Sequence, residues 1–152
     1  MPQPDESSGV ASALVRSAFL VDAVYAESAR EYGLTPQQGQ LLCVLMPQPY
    51  GMSELGMILR LARSSLTELV DRSVKRGLVR REPSPTDRRA VQVTLTEAGA
   101  ALADTFYRAT VARVDGLSTG LSGGERDTLG ALLGRLVREN KVPLVFQETT
   151  QH

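Results

Sequence analysis

Across a single glycine, Gly77, the spacing of apolar residues changes from a helical repeat to a strand repeat. Before it, Leu66, Leu69, Val70 and Val74 follow the i, i+3, i+4, i+8 spacing of one helix face, within a segment running from Ser64 to Arg76. After it, Val79 and Arg81 alternate with Arg80 and Glu82, and Val91, Val93 and Leu95 alternate with Gln92 and Thr94. The two alternating runs flank Pro83-Ser84-Pro85-Thr86-Asp87-Arg88-Arg89, a stretch of turn formers ending in two cations. That pattern predicts a β-hairpin with an exposed basic tip. Upstream, Ser53 to Leu59 carries Leu55, Ile58 and Leu59 on one side, and Arg60-Leu61-Ala62 separates it from the next helix. Two helices joined by a short turn and followed by a hairpin predict a winged helix-turn-helix.

Helices flank this unit on both sides. From Val10 to Tyr32, the apolar Val10, Leu14, Val21, Val24 and Tyr25 alternate with charge, and Gly33 suits the C-terminus. Thr35 with Gln38 forms a T-x-x-Q capping box with Pro36 at the first helical position, starting a helix that reaches Met46. Pro47 to Gly51 reads as a break. Thr96 caps a long helix to about Leu117. Ser122 and Glu125 form a second capping box, opening a helix with Leu129, Leu132, Leu133, Leu136 and Val137 on one stripe. The fold class expected is mainly α with a small β-hairpin wing. Residues 34–96 are expected to form the winged helix-turn-helix lobe, 9–33 and 97–142 a helical dimerisation region, 1–8 a disordered tail and 143–152 a flexible or dimer-arm tail. Nothing in the lobe covers the stripes of the first and last helices, which predicts a homodimer with its reading helices about 34 Å apart.

The 152-residue chain has 17 basic and 17 acidic residues, and this balance hides a polarised distribution. Arg60, Arg63, Arg72, Lys75, Arg76, Arg80, Arg81, Arg88 and Arg89 face only Glu68, Asp71, Glu82 and Asp87 within residues 60–89. The resulting excess of five positive charges is balanced by five negative ones elsewhere, as expected when one face meets phosphate. Arg63, Ser64, Ser65, Thr67 and Glu68 sit at the helix end that reads base edges in a major groove. Arg72 and Lys75 lie further along, where phosphate contact is expected. Arg88 or Arg89 would enter the adjacent minor groove, with Asp87 orienting an arginine. The competing reading is a winged-helix module that binds protein, which would carry apolar or aromatic residues at that end.

Other classes fit poorly. No nucleophile elbow, P-loop or metal-ligand cluster is present, and the one histidine is the terminal His152, so no catalytic residue, metal or cofactor is assigned. The longest apolar run, Leu41 to Met46, is far short of the roughly 20 residues that span a bilayer. Without a signal-like N-terminus, a cytoplasmic protein is expected. Cys43 lies inside that run and reads as a small buried hydrophobe.

The run Leu61-Ala62-Arg63-Ser64-Ser65-Leu66-Thr67-Glu68-Leu69-Val70-Asp71-Arg72, followed by Lys75-Arg76-Gly77-Leu78-Val79-Arg80-Arg81 and Asp87-Arg88-Arg89-Ala90, resembles the MarR (multiple antibiotic resistance regulator) family. Leu34-Thr35 and Leu95-Thr96-Glu97-Ala98-Gly99 extend the likeness. It implies a homodimer of winged helices that represses transcription from a pseudo-palindromic operator and is released by a small aromatic or phenolic ligand. By the family motif, Asp87 and Arg89 take the paired wing positions and Arg88 is the variable neighbour. The cleft between dimer frame and lobe is implied by the likeness alone, with Phe19, Tyr25 and Tyr32 able either to line it or to sit in the core. The family's peroxide-sensing branch carries its cysteine in the first helix, where this chain has none. The chain departs from the pattern at three places. Ser73 stands at a core leucine position, predicting looser packing or a one-residue shift onto Val74. Arg60 replaces a turn glycine and Ala62 a polar cap, leaving the start of the reading helix open.

Overall fold

The structure is a computed structural model that describes residues 9–142; both tails expected at the termini lie outside the described residues. Six helices and three short strands follow in the order α1 (Val10–Glu31), α2 (Pro36–Leu45), β1 (Tyr50–Gly51), α3 (Met52–Leu59), α4 (Arg63–Lys75), β2 (Val79–Pro83), β3 (Val91–Leu95), α5 (Glu97–Gly116) and α6 (Gly123–Glu139). The mainly helical winged helix-turn-helix expected from the period change is what the chain adopts.

The core is built on α2, whose Leu41, Leu42, Cys43, Val44 and Leu45 are all buried. Thr35 and Gln38 form the expected capping box at its start, with both bonds at 3.1 Å. Phe106 of α5 is fully buried and meets Tyr25 of α1 edge to face, with centroids 5.3 Å apart. Deeper along the α1–α5 contact, the hydroxyls of Ser28 and Thr110 satisfy each other at 2.6 Å, and Arg113 pairs with Glu31.

The strands form one antiparallel sheet in the order β1-β3-β2. β2 and β3 make the wing, with Arg81 opposite Val93. The third strand is a correction. Tyr50-Gly51, expected as part of a break, pairs with Val93 and Gln92 and fixes the wing to the body of the lobe.

Gly77 ends α4 at φ +72°, a conformation that L side chains rarely adopt, and the Leu78 N–H returns to the Ser73 carbonyl at 3.0 Å. The same turn is held from the other side by Thr96. Its hydroxyl donates to the Gly77 carbonyl at 2.5 Å and accepts from the Gly99 N–H at 3.0 Å, capping α5 as expected. Gly99 therefore lies against the chain at Leu78, so closely that a Cβ there would fall 1.8 Å from the Leu78 carbonyl oxygen.

Ser73 is fully buried whereas Val74 is 37% exposed, so α4 keeps its phase and the alternative shift onto Val74 does not occur. A serine is tolerated because its hydroxyl donates to the Leu69 carbonyl at 2.8 Å, satisfying itself within the helix. Arg60 takes the left-handed region at φ 54°, ψ 45°, where a residue with a Cβ costs about 1–2 kcal/mol. α4 then begins at Arg63, with Ala62 as an N-cap that offers no side-chain bond.

Replacing Gly99 by alanine should cost about 3 kcal/mol, because the α5 start must move away from the β2 backbone. Urea denaturation of both proteins measures it; an unchanged midpoint would show that this contact is soft.

Candidate functional site

α4 buries Leu66, Leu69, Val70 and Ser73, which leaves Arg63, Ser64, Ser65, Thr67, Glu68, Arg72 and Lys75 exposed on its outer side. The Thr67 hydroxyl donates to the Arg63 carbonyl at 2.8 Å, so its methyl and remaining lone pairs are what it offers outward. Glu68 and Arg72 pair at 2.5 Å, with both side chains mostly solvent-exposed; such a pair is weak and separable.

The wing is braced against this helix. Arg81 of β2 donates to Asp71 of α4 at 2.6 Å, fixing the hairpin's angle to the reading face. At the tip, the Asp87 carboxylate accepts the Arg89 N–H at 3.0 Å and its carbonyl accepts the Ala90 N–H at 3.0 Å, while Ser84 N–H closes the loop onto Ala90 at 2.9 Å. Asp87 thus shapes the backbone that carries Arg88 and Arg89, where the sequence suggested that it orients a guanidinium.

The basic segment divides by role. Arg76 is tied to the Gly33 carbonyl at 2.7 Å and to Gln38 at 3.1 Å, Arg81 to Asp71, and Arg80 lies 3.4 Å from Glu82. Within the described residues Arg63, Lys75, Arg88 and Arg89 make no ion pair or side-chain hydrogen bond. Four of the segment's five unspent cations thus lie on the exposed surface of α4 and the wing tip, and the fifth, Arg60, lies at the α3–α4 turn.

Behind that surface, α1, α2, α3, α5 and α6 border a cleft of about 1030 Å³. Its walls combine apolar side chains, among them Val44, Ile58, Val114 and Leu133, with Asp22, Arg60, Asp115, Arg126 and Asp127. Of the aromatics considered for it, Tyr25 lines the cleft, Tyr32 packs edge-on to Phe106, and Phe19 is 73% exposed and outside the lining. Sequence spacing does not reveal the charged lining, because it comes from separate elements; only Arg60 stands out there, as a turn residue in place of glycine.

Residues 32–90 match the MarR family profile. The chain is 34% identical to the HTH-type transcriptional repressor NicR of Pseudomonas putida over 117 residues, 76% of this chain and 73% of that one. The chain belongs to the MarR family. MarR of Escherichia coli in its apo form superimposes with a TM-score of 0.78 at 27% identity, over 88% of this chain and 99% of the other. The transcriptional repressor CouR bound to a 23-mer DNA duplex gives 0.74 at 27% identity, over 91% and 99%. This MarR-family protein is a DNA-binding transcriptional regulator, and none of its described helices is long and apolar enough to cross a membrane.

Cys43 is buried beside Tyr25; burial pushes its thiol up to about 11, against the smaller opposing pull of the Tyr25 hydrogen bond. A raised value keeps the thiol protonated and unreactive through neutral pH. Titration with an aromatic disulfide reagent at pH 7.5 should therefore modify Cys43 only after unfolding; rapid reaction of the native protein would contradict the burial.

Proposed function

We propose that this protein works as a homodimer that binds a pseudo-palindromic duplex operator, represses transcription there, and is released when a small aromatic or phenolic ligand fills the cleft. The observation that carries the DNA-binding geometry is the common face of α4 and the wing, with Arg63, Lys75, Arg88 and Arg89 unspent and the two elements braced by Asp71–Arg81. In this reading the N-terminal end of α4 enters the major groove. Arg63, Ser64, Ser65, Thr67 and Glu68 face base edges or flanking phosphates, and Arg72 and Lys75 contact the backbone. Arg88 and Arg89 enter the neighbouring minor groove, held there by the loop that Asp87 closes.

The dimer is supported by two apolar stripes that the described residues leave uncovered. Phe19, Leu20 and Val15 on α1 are more than half exposed, and α6 has no buried residue, with Leu132 at 60%. Joining such stripes across a two-fold axis removes them from water and sets the spacing of the two α4 helices.

Selection from a random duplex library at near-physiological salt tests this reading. A two-fold-symmetric motif should be enriched, and a folded protein that enriches nothing would favour a protein-binding role for the winged helix. On the selected duplex, the Arg88→Ala/Arg89→Ala variant should lose about tenfold or more in affinity and flatten the log–log salt slope by about two. Unchanged affinity and slope, measured by fluorescence anisotropy, would remove the wing from the interface.

A further inference from the structure

Arg76, the C-cap of α4, bonds to the turn between α1 and α2. Its Nη1 donates to the Gly33 carbonyl at 2.7 Å and to Gln38 Oε1 at 3.1 Å. The same Gln38 oxygen accepts the Thr35 N–H at 3.1 Å, so the capping box of α2 holds this acceptor in place. Gly33 stands at φ +67°, and a Cβ there would lie 3.8 Å from Arg76 Nη2, so the guanidinium rests on the bare face of the turn. Two residues earlier, Glu31 ends α1 and pairs with Arg113 of α5. The α1–α2 turn is therefore bonded to the reading helix through Arg76 and to the frame through Arg113. α1 itself runs unbroken from Val10 to Glu31 and carries the exposed Val15, Phe19 and Leu20 towards its other end. About 18 Å of helix separates Phe19 from Glu31.

From this chain of bonds we infer that Arg76 is a positioning residue that fixes the separation and tilt of the two α4 helices in the dimer. It thereby sets the spacing between operator half-sites that the protein accepts. The inference rests on the homodimer and DNA-binding reading above and adds to it a residue that shapes specificity without touching DNA. One end of α1 carries the stripe that meets the partner, and the other carries the turn that holds α4. An angle set at Arg76 is therefore referred to the two-fold axis through one rigid helix. Leu66, Leu69 and Val70 fix the rotation of α4 about its own axis, whereas the charge-assisted bonds of Arg76 fix where its C-terminal end lies against the frame. Half-site spacing is sensitive to such an angle. One base pair inserted between half-sites shifts one of them by about 3.4 Å and turns it by about 34°, which a rigid dimer cannot follow.

The test uses the full-length protein and the selected duplex, rebuilt with its half-sites one base pair closer and one base pair further apart. By anisotropy, the wild type should prefer the selected spacing by about tenfold or more. Arg76→Met keeps much of the stem and removes the donors; it should lower that preference to about threefold or less and leave the salt slope unchanged. Arg76→Lys, whose ammonium can reach one of the two acceptors, should keep most of the preference. Gln38→Met removes one acceptor and should act in the same direction as Arg76→Met, which keeps the test decisive should that variant not fold. Full preference in the methionine variants would overturn the inference. So would an equal loss at all three spacings with a slope flatter by about one, which would make Arg76 a phosphate contact. A second measurement needs no DNA. A nitroxide on Ser64→Cys, with the native Cys43 buried, gives the α4-to-α4 distance in the dimer by pulsed electron resonance. Its distribution should be narrow with Arg76 in place and clearly broader in Arg76→Met; equal widths would overturn the inference. A wild-type protein that binds no duplex would overturn only the DNA-binding reading, and the distance widths would still decide the role of Arg76. Absence of any dipolar signal would overturn the dimer and this inference with it.

Discussion

Leu66, Leu69 and Val70 seat α4 by its apolar side, and the direction of its polar side follows from that seating. A helix held by three aliphatic side chains at helical spacing cannot rotate without exposing them, at roughly 1.5–3 kcal/mol for each. The phase is held even at Ser73, where a hydroxyl replaces a hydrocarbon and finds its partner one turn back. At the far end Thr96 joins the α4–β2 turn to the start of α5, so the reading helix, the wing and the long frame helix meet at one hydroxyl. The Asp71–Arg81 bridge then sets the remaining freedom, the angle of the wing.

The same economy explains the charge. A segment with an excess of five cations would repel itself if all were directed outward. Instead Arg76 reaches back to the α1–α2 turn and Arg81 braces the wing, so two of the nine serve the architecture. Apart from Arg60 at the α3–α4 turn, what remains unspent lies at the N-terminal end of α4, at its C-terminal turn and at the wing tip, the kinds of position from which a helix and a wing reach groove edges and flanking phosphates.

Much of this was legible in the sequence because it is local. The period change at Gly77, the T-x-x-Q box at Thr35 and Gln38, and the turn-rich tip each specify their conformation within a few residues, and the structure has all three. The two-residue strand Tyr50–Gly51 was not legible, since its only reason to be a strand is a partner more than forty residues away. The role of Asp87 was misplaced for a related reason: spacing shows a carboxylate beside arginines, but not that the backbone N–H claims it first. The cleft's charged lining was hidden altogether, because Asp22, Arg60 and Asp127 share a wall only after α1, the α3–α4 turn and α6 have come together.

Groove occupancy can be read separately for the two elements by methylation interference on the selected duplex. Methylation of guanine N7 probes the major groove, and methylation of adenine N3 probes the minor groove. Interference at N7 within each half-site, flanked by interference at N3 where the wing tips would lie, is the expected result. A footprint with N7 interference and no N3 interference beside it, or the reverse, would contradict a reading face built jointly from α4 and the wing.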